Sequence, residues 1–306
     1  MKLLGLDLVR CTENAAIAAS HWIGSGNKLE ADKAATEAIR HRLNKMEFYG
    51  KIVIGEGKKD GSYGLYCGEQ VGFLKSFNDL APLDIAVDPI EGTRPTVTSG
   101  PEAMSTIAVA NYGSMFHTEE FYMNKLAFGP SIAKTVQLDI NDPIERTIQL
   151  VSLANGKKIS DIMVCILDRP RHAEVIDRMR KLGVRIKLIQ DCDVSGAIAA
   201  CLPDRGIDLL YGVGGAPEAV LTACAVKCLG GGFQAQLCDK EGKNIDDKVY
   251  KQHDLVKGHC VFAATGITDG SLLKGVRFSE FGPITNSVFM RSESGTVRWL
   301  TSYHGN

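Results

Sequence analysis

No stretch of the 306-residue chain approaches the roughly 20 consecutive apolar residues that a helix needs to cross a bilayer. The apolar start is broken by Asp7, too early for a secretory leader. Charge of neither sign is in excess: 35 Lys and Arg meet 36 Asp and Glu, for a formal net charge of -1. Without a basic field or a basic, aromatic-laced stretch, nucleic acid and anionic membrane are not expected as partners. Any anionic ligand must then be caught by a local site. The nine cysteines are odd in number, and none forms a C-x-x-C pair. Neither a zinc site nor a disulfide framework is suggested, and a reducing, cytoplasmic location is expected. The histidines form no H-x-H or H-E-x-x-H pattern, and neither a G-x-S-x-G elbow nor a Walker loop occurs. Internal repeats, low-complexity tracts and Pro/Gly-rich linkers are also missing.

What remains is ordinary globular composition, 44% hydrophobic and 23% charged, in a chain long enough for two packed lobes. Helical patterning covers 12–23 and 30–46, and short β-like runs follow at 51–54, 83–87, 105–110 and 121–128. Asp142 and Pro143 are placed to open a helix that ends near Asn155-Gly156. Beyond it, strands at 162–167, 184–189 and 207–211 alternate with helices at 171–182, 194–201 and 217–229. Such alternation predicts a parallel, helix-covered sheet. From Cys260 onward the pattern is again β-like. The expected fold is α/β: a mixed α+β lobe over 1–156, then an α/β lobe over 157–306.

Chemistry concentrates where apolar strands run into acids. In Leu83-Asp84-Ile85-Ala86-Val87-Asp88-Pro89-Ile90-Glu91-Gly92-Thr93, Pro89 is expected to stop the strand, so that a tight turn brings Asp88 and Glu91 together. Paired carboxylates repel unless a cation lies between them, and hard oxygen donors suit Mg²⁺ or Mn²⁺. A surface turn with solvated acids and a capping Thr93 is the other reading of the same residues. Glu56, flanked by glycines after 52–54, is either a hairpin tip or a ligand. Asp32, in the first turns of a helix, is either a dipole-compensating acid or a ligand.

Two places suit phosphate capture. Tyr211-Gly212-Val213-Gly214-Gly215-Ala216-Pro217-Glu218 reads as a strand, a Gly-rich loop with free amides, and a helix N-terminus. Arg169-Pro170-Arg171-His172 lies at a strand's C-terminal end, the edge where open α/β sheets bind ligands. Asp191-Cys192-Asp193 follows the next strand on that edge.

In this order the motifs resemble those of the class II fructose-1,6-bisphosphatases of bacteria, in the lithium-sensitive sugar-phosphatase superfamily. Thr12-Glu13, Ala31-Asp32, 52–57, 84–93, Tyr122-Met123-Asn124-Lys125-Leu126, 170–172, 191–193, 211–218 and 264–268 carry the resemblance. It implies a layered α-β-α-β-α fold with the active site between the lobes, and a homo-oligomer (dimer or tetramer). It implies one metal on Asp32 and Glu56 and another on Asp88, Glu91 and Glu218, with Mg²⁺ or Mn²⁺ as cofactor. Catalysis would involve Thr93, Glu56 and Asp32. Glu91, Gly92, Thr93, Tyr122, Arg169, Pro170, Arg171, Asp191, Asp193 and Gly215 would bind the substrate. The implied reaction is hydrolysis of the 1-phosphate of fructose 1,6-bisphosphate in gluconeogenesis. Sedoheptulose-1,7-bisphosphatase or dual activity is the alternative, an inositol phosphatase a more distant one. A catalytically dead sugar-phosphate sensor is the reading from outside the enzymes. The chain departs from that family at Lys58-Lys59, around an apparent insertion at 73–83, and in a shorter 219–263 region.

Overall fold

The computed structural model describes residues 4–56, 64–76, 81–117 and 122–305. The N-terminal helices are α1 (Gly5–Ser20), which begins seven residues before the expected 12–23 and ends three residues short of it, and α2 (Lys28–Asn44), close to the expected 30–46. The two helices pack together, and Ala15, Ala16 and Ala19 of α1 and Ala31 and Ala35 of α2 are wholly buried in the core they share. Asn27 caps α2 by accepting a hydrogen bond from the Glu30 amide at 3.3 Å. The strands β1 (Gly50–Ile54), β2 (Gln70–Val71) and β3 (Leu83–Glu91) follow, then α3 (Thr93–Val97) and β4 (Met104–Ala110).

The middle of the chain contains β5 (Tyr122–Phe128), α4 (Pro130–Thr135) and α5 (Ile144–Asn155). After these come β6 (Met163–Leu167), α6 (Ala173–Lys181), β7 (Arg185–Ile189), α7 (Asp193–Cys201), β8 (Leu209–Gly215) and α8 (Ala216–Leu229). β9 (Gly232–Cys238), β10 (Asn244–Lys251) and α9 (Gln252–Leu255) complete this part. The chain then forms β11 (Cys260–Gly266), β12 (Arg277–Ser279), β13 (Gly282–Arg291) and β14 (Thr296–Tyr303).

These elements fall into two compact units, Met1–His117 with Val256–Asn306, and Thr118–Leu255. The expected boundary at 156 therefore differs from the one found. Gly156, in the left-handed conformation at φ 60°, only ends α5 inside the second unit. Hydrogen bonding explains the difference. β11 pairs antiparallel with β4, from Cys260 with Ala110 to Gly266 with Met104, and so returns the C-terminal segment to the first sheet. β5, from the first half of the sequence, lies between β8 and β9 in the second.

The first sheet runs β12-β13-β11-β4-β3-β1-β2, with β14 on β13. Its core joins Leu8, Ile39 and Leu43 of the helices to Ile52, Ile85 and Ile107 of the strands. The second sheet runs β10-β9-β5-β8-β6-β7. The predicted parallel arrangement holds for β6 with β7 and β8, whereas β5 is antiparallel to β8 and β9. Leu126, Ile148, Val164 and Leu209 lie at the centre of its core. Pro143 occupies the N-cap of α5 itself, so Asp142 makes no side-chain cap there. Residues Lys58-Lys59, Phe121 and part of the apparent insertion at 73–83 lie outside the described residues. No helix among the described residues is long and apolar enough to cross a membrane.

One acid of the 84–93 motif is structural. Asp84 is buried, and its Oδ2 accepts hydrogen bonds from the Ser114 and Met115 amides at 2.7 and 3.0 Å. Replacing Asp84 by Ala strands two buried donors and is expected to lower stability by about 2–4 kcal/mol in urea unfolding. Asp84→Asn keeps an oxygen acceptor and is expected to lose less.

Candidate active site

In the first unit the acids are presented by an irregular strand. β3 does not stop at Asp88 as expected but continues through Pro89 to Glu91. Proline is tolerated because the pairing with β4 slips there: Asp88 faces Thr106, and Glu91, three residues on, faces Met104. One residue of β3 is extra, a bulge, and Asp88 Oδ1 accepts from the Ile90 amide at 3.0 Å to stabilise it. The outcome sought from a turn is thus reached by a bulge. One carboxylate oxygen of Asp88 and one of Glu91 lie within 4.8 Å of each other. Glu91 is buried and Asp88 half-buried, so like charges this close favour a cation beside them. Two hard oxygen donors at this spacing fit a divalent ion of the Mg²⁺ or Mn²⁺ type.

Gly92, at φ 96°, turns the chain out of β3 into α3, whose first residue is Thr93. Thr93 Oγ1 donates to Asp32 Oδ1 at 2.9 Å and lies 3.4 Å from the Ile90 carbonyl. Asp32 and Thr93, 61 positions apart in sequence, are brought together by α2 and α3. A carboxylate accepting the hydroxyl proton leaves the Thr93 oxygen lone pairs available to a further donor. Glu56 is half-buried, two residues beyond the end of β1.

In the second unit the predicted residues gather at the C-terminal ends of β6, β7 and β8. The four-residue segment Gly212–Gly215 is not a loop: β8 runs through it, paired with β5 from Gly212 opposite Lys125 to Gly215 opposite Tyr122. The expectation of a free-amide phosphate cradle is therefore corrected. Its glycines serve close approach instead. A Cβ on Gly215 would stand 1.8 Å from Glu218 Oε2, and one on Gly214 2.0 Å from Asp193 Oδ2. Glycine leaves these slots for carboxylates.

Asp193 opens α7 and is buried, and its Oδ2 accepts from Lys125 Nζ at 2.7 Å. Lys125 is wholly buried in the middle of β5. The sequence motif Tyr122–Leu126 contains this lysine without revealing a role for it. Its signal was a lone charge in the strand Met123-Asn124-Lys125-Leu126-Ala127. Burial raises the Glu218 pKa, Lys125 pulls it back down, and Asp193 adds to the rise. Between Asp191 and Asp193, Cys192 adopts φ 69°, a left-handed conformation that costs a non-glycine residue roughly 1–3 kcal/mol.

Arg169 Nη2 donates to Asp191 Oδ1 at 2.6 Å. Arg171 Nη2 donates to the Val213 carbonyl at 2.8 Å, and its guanidinium lies 5.6 Å from the centre of the Tyr122 ring. Pro170 begins the short 3-10 turn that carries Arg171 and His172. Arg171 Nε, Asp191 Oδ2 and Glu218 Oε2 are among several buried side-chain atoms of the described residues that have no hydrogen-bond partner. Buried polar atoms without partners are uncommon in native proteins, and three fall on residues expected to meet substrate or metal. The unpartnered Glu218 oxygen fits a metal ligand.

Over residues 2–304 the chain matches the family model described as bacterial fructose-1,6-bisphosphatase, glpX-encoded. The chain belongs to this family, and is thereby a phosphatase, a hydrolase of carbohydrate metabolism. It is 39% identical to the D-fructose 1,6-bisphosphatase class 2/sedoheptulose 1,7-bisphosphatase of Synechocystis sp. (strain ATCC 27184 / PCC 6803 / Kazusa), across 98% of this chain and 96% of that relative. It is 37% identical to the protein of the same description from Synechococcus sp. (strain JA-3-3Ab), across 98% of this chain and 95% of that one.

Gly215→Ala drives a methyl group into the Glu218 carboxylate. The expected result is an about 10- to 100-fold higher Mn²⁺ concentration for half-maximal binding, read by metal titration of the folded variant.

Proposed function

We propose that the protein hydrolyses the 1-phosphate of fructose 1,6-bisphosphate, giving fructose 6-phosphate and phosphate, as a step of gluconeogenesis in the cytoplasm. The observation that carries this reading is the set of unpartnered buried atoms on Arg171, Asp191 and Glu218. Asp32 and Glu56 would hold one divalent ion, Mg²⁺ or Mn²⁺, and Asp88, Glu91 and Glu218 another. When bound, such ions supply neutralisation of the charge on the phosphoryl oxygens.

The chain's own residues then have distinct tasks. Asp32 accepts the Thr93 proton, which fixes the Thr93 oxygen as an acceptor for the attacking water. As the water oxygen bonds to phosphorus and the bond from phosphorus to the sugar oxygen breaks, the water's proton passes to Thr93 Oγ1 while the Thr93 proton passes to Asp32, and the departing sugar oxygen takes a proton from solvent. Glu91, Gly92 and Thr93 would frame the phosphate being removed. Tyr122, Arg169, Pro170, Arg171, Asp191, Asp193 and Gly215 would bind the sugar and its distal phosphate. Guanidinium groups match phosphate geometry, and binding a remote phosphate favours bisphosphates over monophosphates.

The relatives' names couple fructose and sedoheptulose bisphosphates, and the same residues would serve both sugars, so dual specificity is the second reading. Nine free cysteines, eight of them buried, support a reducing compartment. A homo-oligomer belongs to the same proposal.

Phosphate release from fructose 1,6-bisphosphate with Mg²⁺ or Mn²⁺ tests the reading, with sedoheptulose 1,7-bisphosphate in parallel. Thr93→Ala and Asp32→Asn are each expected to lower kcat by about 10²- to 10⁴-fold while remaining folded. Turnover of neither sugar by the folded, metal-loaded wild type would make the sensor reading the better one.

A further inference from the structure

The strand β8 outruns its neighbour. β6 pairs with it only at Leu209 and Leu210, yet β8 continues to Gly215. Beyond that pairing, the Val213 amide and carbonyl face away from β5 and need other partners. Two adjacent side chains take the place of the missing strand. Arg171 Nη2 donates to the Val213 carbonyl at 2.8 Å, and the Val213 amide donates to His172 Nε2, also at 2.8 Å.

The other nitrogen of the buried His172 ring lies 2.7 Å from the Leu167 carbonyl, at the end of β6. A carbonyl only accepts, so Nδ1 carries the proton. An amide only donates, so Nε2 must offer its lone pair. Only the neutral Nδ1–H tautomer satisfies both contacts, and an imidazolium would set two N–H groups against each other at Val213. The packing is close: a Cβ on Gly212 would stand 2.9 Å from Nε2.

We propose that neutral His172 is a positioning residue for the distal-phosphate subsite, tying the end of β6 to Val213 so that Arg171 is held in register beside Tyr122. The proposal rests on the reading of Arg169 and Arg171 as the groups that meet the distal phosphate. His172 touches neither substrate nor metal in this scheme and acts through Val213 and Arg171.

Its electrostatic surroundings agree. Burial lowers the His172 pKa below its ordinary 6.5, the Leu167 carbonyl raises it, Arg171 and Arg169 of its own turn lower it, and Asp193 of α7 raises it. A depressed pKa means that the neutral form is favoured in the fold. The stabilisation is therefore complete above pH 6.5 and is lost as pH falls through the depressed value.

The test compares wild type, His172→Gln and His172→Ala in the full chain. Gln places an acceptor near the Nε2 position but does not titrate. Three readings are taken: KM and kcat on fructose 1,6-bisphosphate between pH 5 and 8, calorimetric binding of fructose 6-phosphate, and the ¹⁵N shifts of His172. At pH 8, His172→Ala is expected to weaken fructose 6-phosphate binding about 5- to 100-fold and to raise KM similarly, with kcat little changed. Wild-type KM should climb as pH falls through the depressed His172 pKa, which lies below 6.5, whereas His172→Gln should lack that rise. The ¹⁵N shifts should report an Nδ1–H tautomer. An Nε2–H tautomer, or folded His172→Ala with unchanged binding and KM, overturns the proposal. A loss confined to kcat does so as well. If His172→Ala does not fold, His172→Gln and the tautomer still decide. If the wild type binds fructose 6-phosphate in a His172-dependent way but does not turn over the bisphosphate, the proposed function falls and this inference stands.

Discussion

A wholly buried ammonium group is the constraint on which the second unit's arrangement depends. Lys125 reaches Asp193 from the middle of β5, and neither charge is tolerable in that interior without the other. The pair dictates what surrounds it. Gly214 must lack a side chain to admit the carboxylate, and α7 must begin where Asp193 can meet the lysine. The strained Cys192 turn directly precedes this position, so a locally unfavourable backbone is held by a strong interaction next to it. Glu218 feels the same lysine, which opposes the effect of its burial. Removing one partner of such a pair exposes the other's desolvation, whereas an apolar replacement of both is far less damaging to the fold.

The first unit solves a similar problem by different means. Its acids sit on a bulged strand, where an extra residue spaces Asp88 and Glu91 and a proline occurs without breaking the ladder. Asp84, on the regular part of the same strand, is satisfied by two amides and contributes to folding rather than chemistry. Carboxylates seven or fewer positions apart in one motif thus have different settings: Asp84 is held by two amides of the Ser114–Met115 segment, whereas Asp88 and Glu91 lie close together on the bulge.

Much of this was legible in the residues, and the failures share a cause. Helical periodicity located α1 and α2, and alternation located β6 to α8, because both signals are local. By local pattern Pro89 marks a strand end and Gly212–Gly215 a loop, yet β3 and β8 run through them. Proline and glycine do mark irregularity, but only the neighbouring strand shows that pairing resumes. The boundary at 156 missed for the same reason: nothing near Cys260 announces that it pairs with Ala110. Asp32 and Thr93 were connected only through family resemblance, since a helix-start acid and a threonine after a glycine carry no local sign of partnership. Lys125 and His172 escaped assignment because their partners, Asp193 of α7 and Val213 of β8, are distant in sequence.

The interruption of the first unit by the second also sets an order of assembly. As the ribosome releases the chain, β4 emerges long before β11, which is its hydrogen-bonded neighbour, and the whole of Thr118–Leu255 is made in between. The second unit is contiguous and complete before the first has received its C-terminal strands. Until then one side of β4 is an open sheet edge, an apolar strand available to any other chain. The β-bridge between Met115 and Val256 lies just where the chain leaves and re-enters the first unit. Newly made chains are therefore most vulnerable to misassociation during the interval between synthesis of β4 and arrival of β11.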